Sequence, residues 1–239
     1  MWRLNYTVAA NLRRLPKTLE TMHRMTDRAD LYTEQDRYDY VRETVVGLMK
    51  KTGRIRTDCF GLEHLPAEGG YVLYPNHQGK YDSYGIVSVH EKALTVVMDR
   101  EQSYFALISE IIDTLQGKRL DIRDARHGLK IMNEVAEEVR RGRRYIIFPE
   151  GAYDDRKRNT LWDFRPGCFK AATRAEAPIV PVVLVDSYKV YNSPTLLPVR
   201  TQVHFLEPIL PREYRDMNTV QIAAEVKARI GKKLEELGC

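Results

Sequence analysis

The feature that most constrains the fold is an alternation between short apolar runs and longer amphipathic runs, which begins after Gly53. The apolar runs have strand length and cover residues 71–74, 94–98, 145–148, 179–184 and 202–206. The amphipathic runs predict helices over residues 104–115, 128–141, 168–174 and 220–237. Such alternation predicts an α/β fold, with a mixed, largely parallel central sheet flanked by helices. Ligands of open sheets bind beyond the carboxyl ends of the strands, so polar residues there are the first site candidates.

The first 53 residues differ from the rest and predict a separate helical segment, followed by an α/β domain over residues 54–239. Apolar residues spaced by three and four form what we term the N-terminal stripe: Leu4, Val8, Leu12, Leu15, Leu19 and Met22. Pro16 is expected to kink or split this helix. A second helix is predicted from Glu34 to about Lys51, with Gly53 placed to end it.

Basic residues surround the N-terminal stripe, and a basic amphipathic helix suits the surface of an anionic membrane. The alternative is that the stripe packs on the core of the domain. No run approaches the ~18 apolar residues that span a bilayer. Arg13, Arg14 and Pro16 interrupt the apolar core that a signal peptide needs. We therefore expect a peripheral protein at the cytoplasmic face of a membrane, with neither a signal peptide nor a transmembrane helix.

Composition narrows the class of protein further. Hydrophobic residues make up 43% of the chain and charged residues 30%, which indicates a globular rather than a disordered protein. The three cysteines are widely spaced and form neither a disulfide framework nor a metal-ligand pair. The net charge of +5 is compatible with an anionic membrane, a phosphorylated substrate or nucleic acid. Basic residues do not interleave with aromatic ones on any one element, so we expect no nucleic-acid partner.

The strand predicted over residues 71–74 is followed by His77, and Asp82 stands five positions later, where a new helix is expected to begin. A short turn can bring the Asp82 carboxylate to one imidazole nitrogen and leave the other facing a site. This is the base and orienting partner that activation of a hydroxyl requires. The alternative is that Asp82 only caps the following helix.

The strand predicted over residues 145–148 runs directly into Pro149, Glu150 and Gly151. Glu150 at the strand end could bind an acceptor hydroxyl or brace a neighbouring loop. Gly151 permits a close backbone approach or a positive φ. The alternative is an ordinary turn with a solvated glutamate.

Two further segments stand out. Lys118, Arg119 and Arg123 follow a predicted helix, where they could hold a phosphate or form a solvated surface. Residues 178–184 predict a buried strand, and Pro181 within it indicates a bulge or a sheet edge.

Taken together, in this order and spacing, these segments resemble the lysophosphatidic acid acyltransferase family over about residues 54–210. The family motifs are N-H-x-x-x-x-D, a glycine followed six positions later by an arginine, F-P-E-G, and a V-P-V-type strand. The matching residues are Asn76, His77 and Asp82; Gly117 and Arg123; Phe148 to Gly151; and Pro178 to Leu184. The family's F-x-x-G-x-F-K segment is matched by Phe164, Gly167, Phe169 and Lys170. The joint occurrence is specific, whereas no single motif is.

The resemblance implies transfer of a fatty acyl chain from acyl-coenzyme A or acyl-carrier protein to the free hydroxyl of lysophosphatidic acid in phospholipid synthesis. It implies that His77 is the general base, that Asp82 orients it and that Arg123 lies near the acceptor phosphate. No metal or redox cofactor is expected. The candidate substrate-binding residues are Asn76, Lys118, Arg123, Glu150 and Gly151.

Departures from the family keep alternatives open. The usual aspartate before the second-motif arginine is Ile122 here, and the usual Thr-Arg-Ser after F-P-E-G is Ala-Tyr-Asp over residues 152–154. Arg156 or Arg158 could replace the missing arginine, or the acceptor is another lysolipid or glycerolipid. A catalytically idle, membrane-docked binding protein of the same fold is a further alternative.

Overall fold

The computed structural model describes residues 2–154 and 156–239, which contain a seven-stranded sheet. The strands are β1 (Ile55–Phe60), β2 (Tyr71–Pro75), β3 (Thr95–Asp99), β4 (Lys118–Leu120), β5 (Arg144–Ile146), β6 (Ile179–Val185) and β7 (Val199–Phe205). Their order across the sheet is β1-β7-β6-β2-β5-β3-β4. Every neighbouring pair is parallel except β6 and β7. The predicted mixed, largely parallel sheet is confirmed.

Helices cover both faces of this sheet. In the described residues they are α1 (Trp2–Ala10), α2 (Leu15–Asp27), α3 (Glu34–Asp39), α4 (Gly47–Gly53), α5 (Asp82–Val87), α6 (Ile108–Thr114), α7 (Ala125–Arg140), α8 (Lys170–Ala175), α9 (Lys189–Asn192), α10 (Pro211–Tyr214) and α11 (Thr219–Glu236). Buried residues of α7, α8 and α11 form a core on one face, and residues of α2, α3, α5 and α6 form a second core on the other.

The alternation of side chains along β2 shows why the central strands are apolar throughout. Val72 and Tyr74 pack into the core of α7, α8 and α11, whereas Tyr71 and Leu73 pack into the opposite core. A parallel strand buried on both faces contains no polar positions, and it therefore reads as a continuous apolar run. This property made the inner strands recognisable in the sequence.

The two outer strands, β1 and β4, were not predicted. Both have partly exposed side chains, with Arg56 and Asp58 in β1 and Lys118 and Arg119 in the three-residue β4. Edge strands pair on one side only and tolerate charged residues, so they leave no apolar run to detect. The helix predicted over residues 104–115 is shorter than expected. Leu107 has φ +69°, outside the helical range, and α6 begins at Ile108.

The N-terminal segment is helical and is split where Pro16 predicts a break. The chain leaves α1 after Ala10 and enters α2 at Leu15, so that Pro16 lies in the first turn, where its missing N–H costs no hydrogen bond. The second predicted helix consists of α3, a π-helical segment over Tyr40–Val46, and α4. It ends at Gly53, because Arg54 has a left-handed conformation with φ +53°.

The N-terminal stripe lines a large cavity, and its predicted role as a membrane-facing surface stays a prediction. All six stripe residues line this cavity, and Leu12 alone among them is exposed, at 61%. The buried Arg3 guanidinium fixes α1 in place by donating hydrogen bonds to the carbonyls of Gly53, Thr195 (2.7 Å) and Leu197 (2.9 Å). No helix in the described part of the chain is long and apolar enough to cross a bilayer.

A buried histidine gives the fold a testable pH dependence. His90 is 1% exposed, and its Nε2 accepts from the Tyr71 hydroxyl at 2.7 Å while Nδ1 donates to the Lys92 carbonyl at 2.7 Å. Burial lowers the pKa of His90 from 6.5 to about 4. The unfolded chain therefore binds the extra proton first as the pH falls below about 6.5.

We expect the free energy of unfolding to fall between about pH 6.5 and pH 4, by up to ~3 kcal/mol from His90. Urea titrations at pH 7.5, 6.0 and 5.0 measure it. In His90→Gln the free energy of unfolding should change less with pH over this window than in the wild type, whatever the absolute stability of the variant. An unchanged pH dependence would show that His90 is not the group responsible.

Candidate active site

Three neighbouring strands deliver the polar residues of the site to one edge of the sheet. β2 lies between β5 and β6 and is parallel to both, so the carboxyl ends of all three strands meet. His77 follows β2, Glu150 follows β5 and Ser187 follows β6. The site is therefore where the α/β pattern of the sequence predicts it.

Asn76 fixes the point at which the chain leaves β2. Its side chain is fully buried, and it accepts from the Leu184 N–H at 2.7 Å and donates to the Leu184 carbonyl at 3.0 Å. The Asn76 side-chain amide thus continues the hydrogen bonding between β2 and β6 beyond the end of β2. Both polar atoms are engaged within the protein, so Asn76 positions His77 rather than binding substrate, which corrects its predicted role.

His77 and Asp82 form the predicted pair. The His77 Nδ1 atom lies 2.7 Å from Asp82 Oδ2, and the two side chains are 17% and 1% exposed. A carboxylate only accepts hydrogen bonds, so Nδ1 carries the proton and the unprotonated Nε2 is available as a base. His77 also lines the large cavity described below, so the imidazole can act as a base on a ligand bound there.

The Asp82 carboxylate is buried and fully occupied by donors. Oδ2 accepts from the N–H groups of Gln78 (2.5 Å) and Gly79 (2.9 Å) as well as from His77, and Oδ1 accepts from the Ser187 hydroxyl. These donors stabilise the negative charge away from water. Asp82 is the first residue of α5 and makes no cap to it, so the alternative role as a helix cap is wrong.

Ser187 and Gln78 are site residues that the sequence did not reveal. Gln78 accepts from the Ser187 N–H at 3.0 Å and donates to the Leu184 carbonyl at 2.8 Å and to Asn159 at 2.7 Å. Both side chains are buried, and together they connect Asp82 to the end of β6. Ser187 lies two residues after the end of the buried strand β6, so the carboxyl-end rule was the one signal that could have indicated it.

Removing the Ser187 hydroxyl should weaken catalysis without removing the base. We expect Ser187→Ala to lower kcat by about tenfold, because a hydrogen bond to a charged group contributes ~1.5–3 kcal/mol. KM for either substrate should change far less, since Ser187 does not line the cavity. Ser88→Ala, which removes a hydroxyl that donates to the Gly85 carbonyl of α5, is the matched control. A larger change in KM than in kcat would contradict a positioning role.

Glu150 braces the loop that contains His77. Oε1 accepts from the His77 N–H at 2.9 Å, and Oε2 accepts from the Trp162 N–H at 2.9 Å and from the Lys157 ammonium. Both charged side chains are almost completely buried. Burial lowers the pKa of Lys157 to about 8. Glu150 is absent from the cavity lining, so its predicted substrate-binding role is corrected to the alternative, that of a brace.

Two aromatic rings enclose the imidazole. The Phe148 ring stacks on His77 with ring centroids 4.0 Å apart, and the Tyr153 ring tilts against it at 4.6 Å. Tyr153 stands two positions after Gly151, where the family resemblance led us to expect an arginine. The rings hold the imidazole plane and limit the access of water to it.

A cavity of about 1710 Å³ opens in front of His77. It is bounded by the N-terminal stripe, by Ile111 and Ile112 of α6, and by Phe148, Gly151 and Tyr153 beside the imidazole. The volume exceeds the roughly 300–1,000 Å³ of most small-molecule pockets. Its mostly apolar walls, with His77 among the lining residues, suit a ligand with a long hydrocarbon chain and a reactive head group.

Comparison with known proteins identifies the family. The sequence model described as "Acyltransferase" matches residues 56–185, more than half of the chain. The chain belongs to the Acyltransferase family.

Relatives of this family member include proteins with named activities. A protein of Caenorhabditis elegans named putative 1-acyl-sn-glycerol-3-phosphate acyltransferase acl-2 is 29% identical over 65% of this chain and 55% of its own length. The 1-acyl-sn-glycerol-3-phosphate acyltransferase of Saccharomyces cerevisiae is 24% identical over 74% of this chain and 59% of its own length. The chain therefore matches little more than half the length of these relatives.

A solved structure supports the fold. The crystal structure of the 1-acyl-sn-glycerophosphate (LPA) acyltransferase PlsC from Thermotoga maritima superimposes with a TM-score of 0.73. The match covers 98% of this chain and 93% of that one, at 19% sequence identity. The α/β architecture of this acyltransferase family member, including its N-terminal helices, is thus shared with PlsC.

The predicted basic residues occupy different places. Arg123 lines the cavity, but its side chain is 79% exposed and lies 3.3 Å from Glu101, so its role in substrate binding stays a prediction. Lys118 does not line the cavity. Its ammonium is bound by Glu138 at 2.6 Å and by Glu134 at 3.5 Å on α7, which corrects its predicted role.

The two arginines considered as replacements also lie outside the cavity lining. Arg156 is 91% exposed and pairs with Asp154 at 3.0 Å, and Arg158 is exposed. Gly151 does line the cavity, with φ +72°, which agrees with the positive φ that the sequence allowed. Among the described residues no group of three or more histidine, cysteine, aspartate or glutamate side chains could hold a metal ion.

Proposed function

We propose that this family member transfers a fatty acyl chain from an acyl thioester to the free hydroxyl of lysophosphatidic acid. The observation that carries the proposal is His77, oriented by the buried Asp82, in the lining of a large and mostly apolar cavity. The names of the relatives support lysophosphatidic acid as the acceptor. The donor we propose is acyl-coenzyme A or acyl-carrier protein.

In the proposed reaction the acceptor hydroxyl lies against His77 Nε2. His77 takes its proton as the oxygen attacks the thioester carbonyl, and Asp82 stabilises the imidazolium that forms. The tetrahedral intermediate collapses, the carbon–sulfur bond breaks, and the thiolate leaves. A proton returns to the thiolate from the imidazolium or from water. Because a thiolate leaves without strong acid assistance, we propose that the reaction needs neither a metal nor a redox cofactor.

The apolar part of the cavity is proposed to hold an acyl chain. Leu19 of α2 lines it, whereas Leu31 is 62% exposed and does not. We expect Leu19→Trp to shorten the chain that is accepted, so that activity with a 16-carbon donor falls by tenfold or more relative to an 8-carbon donor. Leu31→Trp should leave this ratio unchanged. Equal effects on both donors would show that the chain lies elsewhere.

We further propose that the protein acts peripherally at the cytoplasmic face of a membrane, where both lipids reside. Leu12 and Phe105 line the cavity and are 61% and 56% exposed, so they lie at its opening. Arg14 and Arg123 also line the cavity, and each basic residue near an anionic surface contributes ~1 kcal/mol. Co-sedimentation with vesicles should therefore increase with anionic lipid content and decrease with salt.

The decisive experiment is an acyl-transfer assay on the purified chain. Radiolabelled acyl-coenzyme A and acyl-carrier protein are each offered with lysophosphatidic acid, other lysolipids and monoacylglycerol. We expect phospholipid product with lysophosphatidic acid and at least one of the donors. Transfer to a different acceptor would support an acyltransferase but would replace lysophosphatidic acid as the proposed substrate. No transfer with any pair would support an idle binding protein and overturn the proposal.

A further inference from the structure

We propose that Arg165, which the sequence did not indicate, binds the phosphate group of the acceptor. The inference rests on the proposed function, because it assigns one end of the proposed acceptor to a residue. Arg165 lies in the loop between β5 and α8, and its backbone N–H donates to the Pro149 carbonyl at 2.8 Å. This bond attaches Arg165 to the turn that follows Phe148.

The Arg165 side chain lies directly on Gly151. A Cβ atom built on Gly151 would come within 2.7 Å of Arg165 Nε and 2.9 Å of Cζ. Any side chain at position 151 would therefore displace the guanidinium, and the φ of +72° would disfavour it as well. The glycine leaves space in which the guanidinium can lie at the cavity wall, where both residues are exposed to ligand.

Other basic residues border the same space, and the contact with Gly151, beside the Phe148 ring that stacks on His77, distinguishes Arg165 from them. The basic side chains that line the cavity in the described residues are Arg14, Lys80, Arg100, Arg123, Arg165 and Lys170. Arg123 already lies 3.3 Å from Glu101 at the cavity mouth. Within residues 2–154 and 156–239, no carboxylate lies within 4.0 Å of the Arg165 guanidinium. Arg165 therefore offers its charge to a ligand in this part of the structure.

The position of Arg165 favours the phosphate of the acceptor, rather than a phosphate of coenzyme A, as its ligand. One short turn connects Phe148, which stacks on His77, with Gly151, which touches Arg165. In lysophosphatidic acid the free hydroxyl and the phosphate are separated by a few bonds of glycerol, so one molecule can reach both residues. In coenzyme A the long pantetheine arm separates the thioester from the phosphates. A guanidinium binds a phosphate through two parallel hydrogen bonds.

The kinetic test compares two acceptors. Arg165→Ala should raise KM for lysophosphatidic acid by about tenfold to a hundredfold, the range expected for a charged hydrogen bond. It should leave KM for the donor and the kcat/KM for monoacylglycerol within a factor of two. Arg165→Lys should recover part of the loss, because it restores the positive charge without the two parallel N–H donors of the guanidinium. Arg156→Ala, which removes an exposed arginine outside the cavity, is the matched control.

A binding test separates this proposal from the proposed function. Protection of the full chain against thermal unfolding is measured with sn-glycerol 3-phosphate, which contains the phosphate but needs no turnover. Protection of the wild type that is lost in Arg165→Ala supports the site even if no acyl transfer is found. Equal protection of wild type and Arg165→Ala, or a kinetic effect on the donor alone, would overturn it. So would a selective loss in Lys80→Ala or Arg123→Ala that Arg165→Ala does not share.

Discussion

Replacing His77 with alanine is expected to lower acyl transfer by ~10²–10⁴-fold while the protein stays folded. The acceptor hydroxyl then loses its proposed base, because His77 lines the cavity and is the side chain that Asp82 orients. The loss should appear in kcat more than in KM, since the imidazole acts on the proton that moves in the transition state. Steady-state rates at saturating donor and acceptor measure it.

His23→Ala is the matched control, because His23 is an exposed histidine on α2 that does not line the cavity. It should have wild-type kinetics. Circular dichroism and thermal unfolding of both variants establish that the fold is retained. A folded His77→Ala protein with near-normal turnover would exclude His77 as the base.

The Asp82→Asn variant tests the partner of the imidazole separately. An asparagine nearly preserves the volume of the side chain, but it removes the charge that stabilises an imidazolium and can present an N–H to His77 Nδ1. We expect a steep loss of kcat, less complete than in His77→Ala. Because Asp82 is buried among four donors, the variant should also lose stability.

The sequence was sufficient to predict the centre of the fold and the pairing of His77 with Asp82. β2 and β6 are buried on both faces, so their apolar runs are visible without any knowledge of neighbours. His77 and Asp82 are five positions apart and are brought together by one turn, which is a local arrangement. Local patterns of this kind depend on few residues, and a single sequence can therefore reveal them.

Long-range arrangements were not visible in the same way. Ser187 reaches Asp82 across a separation of 105 residues, and nothing near Ser187 in the sequence indicates that contact. The N-terminal stripe has the spacing of a helix that lies on a membrane surface. The direction in which the stripe faces depends on Arg3, which binds α1 to carbonyls as distant in sequence as that of Leu197. A helical stripe shows that one face is apolar, whereas the tertiary contacts decide what that face covers.

The second large effect is expected at Glu150, the residue whose role changed most between sequence and structure. In Glu150→Ala the Lys157 ammonium, 1% exposed at its side chain, loses its carboxylate partner, and the N–H groups of His77 and Trp162 lose their acceptor. Removing one partner of a buried ion pair typically costs ~3–5 kcal/mol. We expect a loss of that size in the free energy of unfolding, measured by urea titration.

Controls separate the brace from a binding residue. Asp154→Ala breaks an ion pair with the 91% exposed Arg156 and should change stability little. The double variant Glu150→Gln with Lys157→Met should recover much of the loss, because no uncompensated charge then stays buried. Activity should stay low in the double variant, since the neutral amide holds the His77 N–H less firmly than the carboxylate does. A Glu150→Ala protein with wild-type stability and a raised KM for the acceptor would instead make Glu150 a substrate-binding residue.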